Sequence, residues 1–160
     1  MKLVTVSMLA LILIGTPVLA AGTHGGGHDD EMGAGKPGKE AAVDRTVVIS
    51  MSEKEDGQML YEPNALQVKE GETIRFTINN IGETEHEFVL DSHDKNMEHK
   101  EAMAKFPGME HDDPNAIRLM EGTSGEILWT FSKAGAFEFA CLIPGHYESG
   151  MRGDVTVASK

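Results

Sequence analysis

One stretch constrains this chain more than any other: residues 135–157, GAFEFACLIPGHYESGMRGDVTV, hold its only cysteine with a histidine and a methionine close behind. Cys141, His146 and Met151 are spaced Cys-x4-His-x4-Met. Thiolate and thioether sulfur suit copper, and imidazole suits several transition metals. Phe137, Phe139 and Cys141 alternate with Ala136, Glu138 and Ala140. A strand with that period delivers the thiol to the same side as two aromatic rings. Leu142-Ile143-Pro144-Gly145 is then expected to turn, because Pro lacks a donor and Gly tolerates positive φ, returning His146 toward the sulfur. Gly150 and Gly153 flank Met151 for similar reasons. Singly, each residue has an ordinary use: a free Cys as a small buried hydrophobe, a lone His at the surface, a Met as packing. Together, within eleven residues, they read as a metal site.

The N-terminus explains why a solitary cysteine is informative. Lys2, the apolar run 3–14 and Val18-Leu19-Ala20 have the layout of a secretory signal, so residues 1–20 are expected to be removed near Ala20. The apolar run is too short to span a bilayer and nothing downstream provides a second candidate, so no membrane span is expected. The expected location is the periplasm, where an unpaired thiol oxidises unless a partner or a metal occupies it. The formal net charge is −12, and losing Lys2 makes it more negative. Nucleic acid and anionic membranes are therefore poor partners, while metal ions and basic electron-transfer proteins fit. The remaining length suits one domain, expected to be a monomer.

Residues 21–43 contain Gly22, Gly25, Gly26, Gly27, Gly33, Gly35 and Gly38 and read as a flexible, Gly/His-rich tail in which no core forms. His24, His28 and Met32 give it a metal-collecting composition. From residue 44 to 160 the chain changes to short β runs, at 45–51, 65–68, 73–80, 86–90, 126–132, 136–141 and 154–158. Ile74, Phe76 and Ile78 define one buried face, and Ile127, Trp129 and Phe131 another. Turn signals at Pro63-Asn64, Glu70-Gly71, Asn80-Ile81-Gly82 and Ala134-Gly135 separate the runs. The expected fold class is all-β, a Greek-key β-sandwich.

An insertion at about 91–116 breaks the pattern. It is polar, favours helix over 96–106 and is stopped by Pro107-Gly108. Met97, His99, Met103, Met109 and His111 make it a candidate secondary binder of additional Cu(I), with His93 beside them; the alternative is an amphipathic flap that packs through Met. On one helix, His93/Met97 and His99/Met103 are i,i+4 pairs on different faces, which disfavours a single shared site.

A trigonal His2Cys copper site with a weak axial Met needs a second imidazole from a neighbouring strand. His86 is the best candidate, opening a strand just after the turn around Asn80, whereas the histidines of the insertion lack a rigid support. With His86, Cys141, His146 and Met151 in place, the chain resembles the cupredoxins, the family of plastocyanin, azurin and auracyanin. The likeness covers residues 45–157 and rests on the run Phe-x-Cys-x4-His-x4-Met-x-Gly. It implies an eight-stranded sandwich with one type 1 copper at one end. The Cys-to-His spacing is like that of azurin and auracyanin, and the His-to-Met spacing like that of auracyanin and plastocyanin. Many members carry Asn after the first His, where this chain has Glu87. The His- and Met-rich tail and insertion are similar to those of bacterial periplasmic cupredoxins associated with copper tolerance.

A site closed by four protein ligands leaves no room for a substrate, so no enzyme activity is expected. Ala140 and Leu142 flank the cysteine where a multicopper oxidase would have histidines, and a binuclear centre needs a second Cys. Structural zinc is disfavoured because thioether is a poor zinc ligand. Two functions remain: copper tolerance, with the metal cycling between Cu(I) and Cu(II), and a mobile one-electron carrier docking a periplasmic redox protein through Leu142, Ile143, Pro144 and Tyr147.

Overall fold

Alternation along the strands decides which side chains meet between the two layers of this protein. The computed structural model describes residues 32–106 and 113–160. One sheet is built in the order β1 (Lys36–Pro37), β8 (Ser124–Thr130), β5 (Thr73–Asn80), β2 (Arg45–Glu53) and β3 (Met59–Glu62). The other runs β4 (Ala65–Lys69), β10 (Arg152–Ala158), β9 (Gly135–Ala140), β6 (His86–Asp91) and β7 (Ala116–Leu119). Both sheets are mixed: β2 pairs parallel with β5, and β10 parallel with β4, while the other pairings are antiparallel. The chain crosses repeatedly between layers, which gives the Greek-key sandwich expected from the sequence. The strands number ten among the described residues. β1, β3 and β7 are the additions, all short and without an alternating pattern to announce them.

Ile74, Phe76, Ile78, Trp129 and Phe131 are fully buried between the layers. Each large apolar side chain removed from water in this way contributes about 1.5–3 kcal/mol. Under the Cys141 end lies an aromatic group: Phe88 stacks on Phe139 with centroids 5.1 Å apart, and Tyr61 meets Phe139 edge-on at 5.0 Å. The floor beneath the thiol is therefore stiff as well as apolar.

The segment expected to be a loose tail is fixed to the sandwich from Met32 onward. Ala34 is fully buried and its carbonyl accepts the Trp129 indole N–H at 3.3 Å. β1 pairs with the edge of β8, and the Gly38 amide donates to Leu128 O at 2.8 Å. A side chain at Gly35, whose φ is +139°, would collide with the Thr130 carbonyl. Here glycine permits close approach of two backbones, a use that composition cannot distinguish from flexibility. His24 and His28 lie outside the described residues.

The insertion forms α1 (His93–Lys105), starting earlier than expected because the Ser92 hydroxyl caps it, accepting the Lys95 amide at 3.4 Å. α1 is pinned to β9 by Asn96, whose Nδ2 donates to Glu138 Oε1 at 3.1 Å, with His93 Nδ1 3.3 Å from Glu138 Oε2. Lys100 reaches Glu148 in the cysteine-to-methionine loop at 2.6 Å. Among the described residues, no helix is long and apolar enough to cross a membrane.

Candidate metal centre

β9 and β10 are consecutive antiparallel neighbours, so the segment between them is a long hairpin connection that starts at Cys141 and returns at Met151. Main-chain bonds close it. The Cys141 amide donates to Met151 O at 3.1 Å, and the Met151 amide donates to His146 O at 3.1 Å. The turn within it needs positive φ at Gly145, +92°, where the space around a Cβ is open and only the backbone angle calls for glycine. The Met59 amide donates to Ser149 O at 3.0 Å, tying the loop to the opposite sheet.

His86 arrives from the other side. Asn80, buried at the end of β5, holds the intervening turn: its Nδ2 donates to Thr84 O at 2.8 Å and Leu119 O at 2.9 Å, and its Oδ1 accepts the Gly82 amide at 3.0 Å. This places the His86 ring, fully buried, over the cysteine loop.

The structure brings His86, Cys141 and His146 together, with one ligand atom from each all within 4.8 Å of one another. His86 Nδ1 is 3.3 Å from His146 Nδ1, which is 3.4 Å from Cys141 Sγ. The Glu87 amide donates to the sulfur at 3.3 Å. Met151 is fully buried in the same core cluster as Cys141. Burial pushes the Cys141 thiol up to about 12, only partly offset by the amides of Glu87 and Ile143. Burial also lowers both imidazoles, against the pull of Glu53 on His86 and with the help of His86 on His146. The imidazole lone pairs are thus available at neutral pH, while the thiol gives up its proton only to something that replaces it, such as a soft cation. Two imidazoles and one thiol converging in a buried corner fit a copper ion.

The other expected residues are more dispersed. Leu142 is fully buried and so drops out of the expected docking patch, because its side chain packs with Val89 and Ala140. Pro144 is exposed, and Ile143 and Tyr147 are half-buried, with Tyr147 held between Lys100 and Arg152. Met97 and His99 are half-buried on α1, and His99 lines a cavity of about 360 Å³ with Met32 and Asn96. Met103 is fully buried and packs rather than presenting its sulfur to solvent. Met109 and His111 lie outside the described residues. Sequence reasoning missed Glu53, whose Oε1 lies 2.9 Å from His86 Nε2, and Tyr61, whose hydroxyl donates to the Glu87 carbonyl. Neither sits in a recognisable motif; they meet the site only through the pairing of β2 with β3 and β5.

Comparison with known proteins agrees with this geometry. The profile of copper binding proteins of the plastocyanin/azurin family matches residues 48–158. The copper-resistant cuproprotein CopI of Rubrivivax gelatinosus is 47% identical over 137 residues, spanning 86% of this chain and 79% of that protein. CopI of Pseudomonas aeruginosa is 33% identical over 186 residues, spanning 98% and 97%. Among solved structures, dithionite-reduced auracyanin from Roseiflexus castenholzii has a TM-score of 0.59 at 26% identity, covering 72% of this chain and 98% of that one.

Proposed function

The chain belongs to the plastocyanin/azurin family of copper-binding proteins, and from that premise we propose that it serves copper resistance in the periplasm, acting as a monomer and without turning over a substrate. The buried convergence of His86, Cys141 and His146 carries the reading, supported by relatives whose names record copper resistance. His86 Nδ1, His146 Nδ1 and the Cys141 thiolate would hold the ion, with the Met151 thioether as the weak fourth ligand. Bound copper supplies one-electron chemistry between Cu(I) and Cu(II). The chain does the rest. Its aromatic floor and closed main-chain loop hold the donors in place, so that little rearrangement would be needed to receive the ion. With Met151 as the fourth ligand, no position would remain on the ion for a substrate.

The test is genetic. Cells lacking the protein should lose tolerance to high copper, wild type should restore it, and Cys141→Ser should not. Full rescue by Cys141→Ser would remove the site from the function. A second reading, a mobile electron carrier, is favoured by exposed Pro144 beside half-buried His146. It predicts a defect in electron flow at ordinary copper levels, which the resistance reading does not.

A further inference from the structure

The connection between Glu53 and the metal centre is the strongest feature that the motif does not explain. Glu53 is the last residue of β2, and its carboxylate turns back under the loop leading to His86. Oε2 accepts the Glu83 amide at 2.9 Å, and Oε1 accepts the Thr84 amide at 3.0 Å together with the Thr84 hydroxyl. The same Oε1 is 2.9 Å from His86 Nε2. Gly82 makes room: a Cβ there would collide with the carboxylate. Three donors and one glycine thus fix an anion against the far edge of a ring whose near edge faces Cys141 and His146. The His86 contact is close but bent, leaving Nε2 without a well-aligned hydrogen-bond partner among the described residues. Hydrogen bonds of an unloaded site are often poorly aligned and tighten when the site is filled.

Resting on the reading of His86 as a ligand, we propose that Glu53 is a positioning residue of the metal centre. Its carboxylate anchors Nε2–H of His86 so that Nδ1 is the free lone pair facing the metal. Its negative charge favours Cu(II) over Cu(I). A histidine whose second nitrogen bonds a carboxylate is fixed in tautomer and orientation and is a stronger donor, and loss of such a partner typically costs 10–100-fold in metal affinity. Glu53→Gln keeps the shape and removes the charge. It should weaken Cu(II) relative to Cu(I) by about 10–100-fold, which for a one-electron couple raises the reduction potential by about 59–118 mV. Gly82→Ala, which displaces the carboxylate without altering its charge, should move the potential in the same direction. Thr84→Val removes one of the three bonds that fix the carboxylate and should move the potential in the same direction by a smaller amount.

A second measurement needs no metal. The ring nitrogen shifts of His86 in the metal-free protein, read by NMR, should report the Nε2–H tautomer in wild type and a mixture in Glu53→Leu. If Glu53→Gln leaves the potential in place and Glu53→Leu leaves the tautomer in place, Glu53 only pins its loop and the proposal fails. A wild-type protein that binds no copper would sink the copper reading itself, yet the tautomer measurement would still decide the anchor.

Discussion

The main-chain amide of Glu87 points at the sulfur of Cys141 across 3.3 Å. Because the donor is backbone, the sulfur has its hydrogen bond whatever side chain follows His86, and Tyr61 steadies the same residue through its carbonyl. Here the departure from Asn at this position does not strip the sulfur of its donor. Cys141→Ser is expected to abolish the intense thiolate-to-copper visible band while retaining the fold, at a cost of about 1–3 kcal/mol for a buried hydroxyl. Absorption of the copper-loaded variant and urea unfolding of the metal-free one check both halves; an intact band would refute the thiolate ligand.

The metal-free protein should have a plateau of stability bounded by its own ligands. The lowered imidazoles of His86 and His146 resist protons that the unfolded chain accepts, so stability should fall as pH drops below the ordinary histidine value of 6.5. The thiol, raised from 9.0 to about 12, resists ionisation that the unfolded chain allows, so stability should also fall as pH rises from 9 toward 12. Urea midpoints across pH test this, and Cys141→Ser should leave the acid limb in place and remove the loss between pH 9 and 10, above which Tyr61, raised above its ordinary 10.0 by burial, adds its own.

Asn96 offers a way to detach the insertion. It is fully buried with its amide on Glu138, itself almost buried. Asn96→Asp sets two carboxylates against each other in that place, an uncompensated buried charge that costs about 3–5 kcal/mol. The cost should shrink in acid as one of them protonates. Hydrogen exchange should show α1 opening first, with β5 and β8 still protected; uniform loss of protection would mean that α1 and the sandwich are one cooperative unit.

The proposed extra Cu(I) capacity of the insertion needs a narrower set of residues than its composition suggests. Wild type should bind more than one Cu(I) under anaerobic, reducing conditions, through Met97, His99, Met109 and His111 in addition to the main site. Met103 is part of the packing under α1, so a variant that changes it confuses capacity with stability. Replacing the other four by Ser or Ala should reduce the count to one and keep the visible band. A count of one in wild type would leave the insertion with a structural role.

The sandwich and its site were legible to different depths. Period-two alternation showed the buried faces of β5 and β8, and the ordering Cys141, His146, Met151 showed the loop, because both are local patterns. β3 was invisible since Met59, Leu60 and Tyr61 carry no alternation, yet it supplies Tyr61 beneath the thiol. The fixed segment around Ala34 was misread because glycine marks a flexible chain and a close backbone contact with the same letter. Glu53 lies 33 residues before His86, and only the strand pairing that carries it there could reveal the contact.

The docking of Met32 beside α1 also ties two distant parts of the chain to one wall. Met32 lines the same cavity as Asn96 and His99, so whatever loosens α1 also loosens the segment that carries Ala34 against the Trp129 indole.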